Sequence, residues 1–214
     1  FQFDVMTSGF LMSKRQVEII ERLIKQQEHR PFIISDPIMG DDGSLYPGLS
    51  NDLVEGMRAI TPFADLMLPN LTEAALIVGE EKAYHNIDEA RVKRWIDRLR
   101  EKGAKSIVIT SVELKGEHFI YGYSEKARDY FRVKYRMIPM QFGGTGDIFS
   151  ALMTAEIVKN RNDTLENMVK RSAETISEIL EVEAKRVTEA RRMQPALKAE
   201  VMVKWGVYGP MGLI

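Results

Sequence analysis

The chain has no cysteine, and that absence removes disulfides, thiolate metal sites and cysteine nucleophiles from consideration. It is compatible with a reducing compartment. An excess of one charge is missing too. The 30 basic and 31 acidic residues leave a formal charge of −1, so nothing global draws the chain to nucleic acid or to an anionic membrane. Any anion site must therefore be local. No apolar run approaches the roughly 20 residues that span a bilayer, and no repeat, low-complexity tract or linker breaks the sequence. One domain over residues 1–214 is expected. The opening Phe1-Gln2-Phe3-Asp4-Val5-Met6 lacks an initiator methionine and the basic-then-apolar pattern of a signal peptide. It reads as the middle of a fold, so a preceding segment is expected.

What is present is a composition of 44% hydrophobic and 29% charged residues over 214 positions, enough for a sizeable globular core. Phe3 to Thr7 and Asp65 to Leu68 read as short strands. Phe32-Ile33-Ile34 and Ser106-Ile107-Val108-Ile109 are continuous apolar runs of the kind buried on both faces of a parallel sheet. Helices are predicted from the capping pattern at Ser13-Lys14-Arg15-Gln16 to about His29, with Val17, Ile20, Ile24, Ile19 and Leu23 as its apolar stripe. Further helices are predicted over 50–60, from about Leu71, over 87–102 with Ala90, Trp95, Ile96 and Leu99 in the core, and over 164–182. Residues 40–48 read as a polar loop; 118–123 and 130–137 alternate and suggest antiparallel strands with one solvated face. Alternating strands and helices argue for a mostly parallel α/β sheet with helices on both faces. In such sheets ligands sit beyond the carboxyl ends of the strands, where Asp36, Asn70, Glu73, Thr110 and Ser111 fall.

The stretch with the most chemistry is Phe142-Gly143-Gly144-Thr145-Gly146-Asp147, which runs straight into Ile148, Phe149, Ala151, Leu152 and Met153. Glycines let backbone N–H groups approach an anion, and a helix N-terminus favours negative charge there. An acid in that first turn would repel a phosphate unless it takes a proton from a hydroxyl that attacks one. An ordinary helix start with Thr or Asp as cap carries the same residues. Ser35-Asp36-Pro37-Ile38-Met39-Gly40-Asp41 sets two carboxylates around a turn at a strand end; they suit Mg²⁺ shared with substrate phosphates, or an Asx turn before proline. Pro69-Asn70-Leu71-Thr72-Glu73 is either a second polar cluster or a helix cap whose Glu73 favours the dipole.

Taken in order, Thr7-Ser8-Gly9-Phe10, Asp36 to Asp41 with Gly43 and Tyr46, Pro69 to Ala74, Val108 to Ser111, and Gly144 to Phe149 resemble the ribokinase superfamily, and within it the pyridoxal kinase family, from about Asp4 to Leu180. The resemblance implies a ribokinase-like fold and ATP-dependent phosphorylation of the 5′-hydroxymethyl group of a B6 vitamer. It implies Asp147 as general base and Gly144, Thr145 and Gly146 as the anion hole. Asp36, Asp41 and Glu73 would organise Mg²⁺ and a monovalent cation such as K⁺ around the ATP phosphates. Asn70, Thr110 and Ser111 would meet the nucleotide. Asp41, Gly43 and Tyr46 would belong to a lid, and Gly9 and Phe10, with Asp147, would lie beside the vitamer. A cytoplasmic homodimer is also implied, with no nucleic-acid or membrane partner.

The resemblance is incomplete in two places. The family's N-terminal portion, with its first strands and most of the ring pocket, has no counterpart here. Poor binding of the vitamer and an open sheet edge are therefore expected. The basic tail from Lys185, and in particular 193–214 with its loop-like Gly206 to Gly212, does not match the family's ending and is unassigned. Two other readings remain. A hydroxymethylpyrimidine kinase of thiamin synthesis usually has Cys where Asp147 stands, and a catalytically silent nucleotide-binding remnant would need only the nucleotide half.

Overall fold

The computed structural model describes residues 3–84, 87–140 and 142–192. The unassigned tail at 193–214 lies outside them. The central sheet has six strands: β1 (Val5–Ser8), β2 (Phe32–Ser35), β5 (Leu66–Met67), β6 (Ser106–Leu114), β7 (Glu117–Ser124) and β8 (Asp129–Tyr135), in that spatial order. The first four run parallel, and β7 and β8 continue the sheet antiparallel. A separate two-stranded hairpin joins β3 (Gly40–Asp41) to β4 (Ser44–Leu45).

Two apolar layers explain why the parallel strands are continuously apolar. Ile33, Ile107 and Ile109 point into one layer, with α1 (Lys14–Lys25), α2 (Asn51–Ile60), α3 (Leu71–Val78) and α4 (Glu89–Glu101); Ile34, Leu66 and Val108 point into the other, with α5 (Thr145–Lys159) and α6 (Leu165–Arg192). A strand in the middle of such a sandwich has no solvated face, so alternation disappears from its sequence.

Several expectations change. α1 ends at Lys25 rather than near His29, because the residue before Pro31 is pushed out of the helical region and Phe32 must pair its N–H with the Asp4 carbonyl. Ser13 makes no side-chain cap; Gln16 reaches back to the Met12 N–H at 2.6 Å instead. Ile19 and Leu23 are exposed, and on α4 Val92, not Ala90, enters the core. The 40–48 loop contains the β3–β4 hairpin. β6 runs on to Leu114 through an irregularity between Ile109 and Val112, where Ser111 takes a positive φ of 60°. β7 is buried on both faces rather than half-solvated, since α4 and α6 each pack on it. Gly122 makes its pairing possible: a Cβ there would lie 2.2 Å from Phe131 Cζ. α6 continues to Arg192 because neither Pro nor Gly occurs between Val182 and Arg192, Val187 is buried, and Arg186 pairs with Glu183 at 2.8 Å.

Candidate active site

The glycine stretch forms the turn into α5. Gly144 is the N-cap, with φ of 82°, a left-handed conformation that a side chain would strain. A Cβ built at Gly143 or Gly146 would have nothing within 4 Å, so the backbone of this turn is open to a ligand. Thr145 begins the helix and is half-buried, while Asp147 is exposed in its first turn. Phe149 and Met153 anchor α5 in the second core layer; Ile148 is exposed instead of packed.

A buried carboxyl near this turn, Asp36, is coupled to a second, Glu73. Asp36, 6% exposed, directly follows β2, and its N–H is held by the Ser8 carbonyl at 2.9 Å. Burial raises its pKa to about 6; a hydrogen bond from Ser150 opposes the rise and the charge of Asp147 adds to it. Glu73, 3% exposed, sits in the first turn of α3. It accepts from the Asn70 N–H at 2.8 Å and the Met39 N–H at 3.1 Å. Burial drives it up to about 8, with Asp36 adding to the rise and the backbone N–H groups opposing it. The pair is thus an electrostatically coupled, desolvated acidic site.

Asn70 caps α3 by accepting from the Glu73 N–H at 2.9 Å, completing a reciprocal capping box. Its amide also donates to the Gly40 carbonyl at 2.8 Å. That bond, with Met39 N–H to Glu73 and Gly43 N–H to Thr72 Oγ1 at 2.9 Å, ties the β3–β4 hairpin to the start of α3. Asp41 and Tyr46 are exposed on or just beyond the hairpin. Although Tyr46 is 38% exposed, its partial burial first, and then the charges of Asp41, Glu73 and Asp36, push its hydroxyl up to about 12. Thr110 forms an isolated parallel bridge with Asn70, and Ser111 hydrogen-bonds Tyr135 from the irregular turn of β6. Gly9 lies by Ile38, with a built Cβ 3.8 Å from its Cδ1, and Phe10 is 52% exposed.

The structure therefore gathers Asp36, Glu73, Asp41, Tyr46 and Asp147, and sets Asn70, Thr110 and Ser111 on the neighbouring strand ends. Among the described residues no three His, Asp or Glu side chains assemble a ready metal cage. The donor set nevertheless fits Mg²⁺, which takes one or two protein carboxylates and completes its shell with phosphates and water. Asp36 and Glu73 are buried, and no basic side chain is among the main causes of either shift. The sequence reading missed Ser150, whose hydroxyl donates to Asp36 Oδ2 from 114 positions away. Only its i+3 spacing from Asp147 hinted that it shares that helix face.

Fold and site together define a ribokinase-like α/β protein, with its polar groups beyond the carboxyl ends of the parallel strands. The sequence profile of the phosphomethylpyrimidine kinase family matches residues 1–194, and the chain belongs to that family. It is 28% identical over 201 residues to the pyridoxal kinase of Homo sapiens, covering 84% of this chain and 62% of the human one. Against the pyridoxal kinase of Sus scrofa the identity is 30% over 182 residues, 76% of this chain and 55% of the other. The crystal structure of pyridoxal kinase from Lactobacillus plantarum superposes with a TM-score of 0.73 at 25% identity, covering 94% of this chain and 71% of that one. The chain thus spans less than two thirds of the two mammalian kinases.

Proposed function

We propose that this chain carries the catalytic machinery of an ATP-dependent kinase for the 5′-hydroxymethyl group of pyridoxal, pyridoxine or pyridoxamine. The observation that supports it most is the open Gly144-Thr145-Gly146 turn with Asp147 exposed beside it and opposite a buried carboxyl pair. The hydroxyl oxygen attacks the γ-phosphorus, its proton passes to the Asp147 carboxylate, and the bond from γ-phosphorus to the bridging oxygen breaks so that ADP leaves. The backbone N–H groups of the turn hold the transferring phosphoryl group. Asp36 and Glu73, with Asp41 nearby, would hold Mg²⁺ directly or through water, and a monovalent cation such as K⁺ would share the acidic site. The metal supplies charge neutralisation at the phosphates. Thr110, Ser111 and Asn70 line the nucleotide side. In this reading Asn70 acts partly through the hairpin it holds, and Tyr46 closes the site from that lid. Gly9 and Phe10 meet the vitamer. A cytoplasmic homodimer completes the proposal, and sedimentation at micromolar concentration checks the dimer.

The family's own description favours one second reading, phosphorylation of a hydroxymethylpyrimidine. Steady-state turnover of pyridoxal against hydroxymethylpyrimidine decides between them. Preference for pyridoxal supports the proposal. Preference for the pyrimidine overturns it, and nucleotide binding with neither product formed points to a silent nucleotide-binding protein.

A further inference from the structure

Ser150 is 7% exposed, lies on α5, and donates its hydroxyl to Asp36 Oδ2 at the end of β2. Its own carbonyl accepts from Thr154 Oγ1 at 2.8 Å, and Thr154 Oγ1 lies 3.1 Å from Thr7 Oγ1 on β1. Asp147, Ser150 and Thr154 have i, i+3, i+7 spacing, so they share one face of the helix. Phe149 and Met153 hold α5 against the sheet through apolar contacts, which are non-directional. The hydroxyl bond is directional, and it joins the two segments that must keep register: the glycine turn with Asp147, and the strand end with Asp36.

We propose that Ser150 is a positioning residue for the phosphoryl-transfer site, locking Asp36 and α5 together so that the carboxylate and the anion-binding turn keep one geometry. The proposal rests on the kinase reading above. A purely structural alternative exists, in which Ser150 merely satisfies a buried polar atom. The two differ in what the loss of the bond changes: a structural role lowers the thermal midpoint and leaves the folded variant's use of ATP intact, whereas the positioning role lowers kcat/KM for ATP through Asp36.

The test is a double-mutant cycle on the full chain with Ser150→Ala, Asp36→Ala and both together. It is read by steady-state kinetics and by calorimetry with Mg²⁺ and a non-hydrolysable ATP analogue. A lost hydrogen bond to a charged group predicts that Ser150→Ala lowers kcat/KM for ATP about 10- to 100-fold. The KM for pyridoxal should stay within about two-fold, and Ser150→Thr, which keeps the hydroxyl, should recover most of the loss. Once Asp36 is gone, adding Ser150→Ala should cost no more than about two-fold in rate or in analogue affinity. Losses that multiply in the double variant, or a Ser150→Ala variant within two-fold of the parent, overturn the proposal. Thermal unfolding is followed in parallel, and Ser150→Cys replaces the alanine variant if that variant does not fold. A parent that binds the analogue but phosphorylates no B6 vitamer defeats the kinase reading and leaves the calorimetric cycle to decide on Ser150. A parent that binds no nucleotide defeats both.

Discussion

Asp147 is exposed on the first turn of α5, whereas Asp36 and Glu73 are buried, and substitution should act differently at each. Asp147→Asn is expected to lower turnover by about two to four powers of ten while nucleotide affinity stays within a few-fold, because in the proposed mechanism the carboxylate takes the hydroxyl proton and does not hold nucleotide. Single-turnover kinetics with a nucleotide titration checks this; turnover within a few-fold of the parent removes Asp147 from the base role. The buried acids govern pH dependence. Their folded-state pKa values, about 6 for Asp36 and about 8 for Glu73, lie above the ordinary 3.8 and 4.5, with burial the main cause. At these two sites the folded chain binds more protons than the unfolded one, so their contribution to stability falls as pH rises from about 4 to about 8. In metal-free buffer the thermal midpoint should drop over the part of that window above about 5, where carboxylates with lowered values such as Glu156 and Asp163 are ionised in both states, and Glu73→Gln should flatten its upper half. A midpoint that climbs through the window instead would show that these carboxyls are not desolvated. If Asp36 shares in holding Mg²⁺, Asp36→Asn weakens that binding, so raising Mg²⁺ should partly restore Mg·ATP use in the variant.

The β3–β4 hairpin is held by hydrogen bonds with Asn70, the N-cap of α3, and with Thr72 and Glu73 in its first turn, about thirty positions downstream. Gly40 admits the tight approach of its two strands, since a Cβ there would sit 2.3 Å from the Ser44 carbonyl oxygen. Gly40→Ala should therefore loosen residues 40–48, seen as faster limited proteolysis within the hairpin and a raised KM for ATP; unchanged cleavage would show that the hairpin tolerates the methyl group. This element was not legible in the sequence, which offered only a polar loop, because two-residue strands leave no periodicity. The buried strands were legible, since burial on both faces leaves continuous apolar runs such as Phe32 to Ile34. The α3 capping box was legible as well, being local. The continuation of β6 was hidden because Ser111 adopts a backbone conformation that serine does not advertise. The acids and glycines of the candidate site could be read as motifs. The Ser150–Asp36 contact could not, because nothing local in the sequence marks a pairing across 114 positions.

Across the whole molecule, the residues expected to meet nucleotide cluster on the ends of β2, β5 and β6 and on the α5 turn, while only Gly9 and Phe10, besides Asp147, are expected beside the vitamer ring. Calorimetry should accordingly show nucleotide binding in the absence of vitamer and weaker binding of pyridoxal; pyridoxal bound more tightly than the ATP analogue would contradict that division. The sheet's change from parallel to antiparallel pairing also sets an order of assembly. β6, β7 and β8 are joined by short turns, Lys115-Gly116 with both φ positive and a four-residue turn closed by Arg128 N–H to the Ser124 carbonyl. β1, β2 and β5 can pair only after helical crossovers close much longer loops, an entropic cost the meander avoids. In pulsed hydrogen exchange during refolding, the amides of residues 106–135 should gain protection first. The strand ends that carry Asp36 and Asn70 should come later, so that the acidic site is among the last parts of the molecule to form.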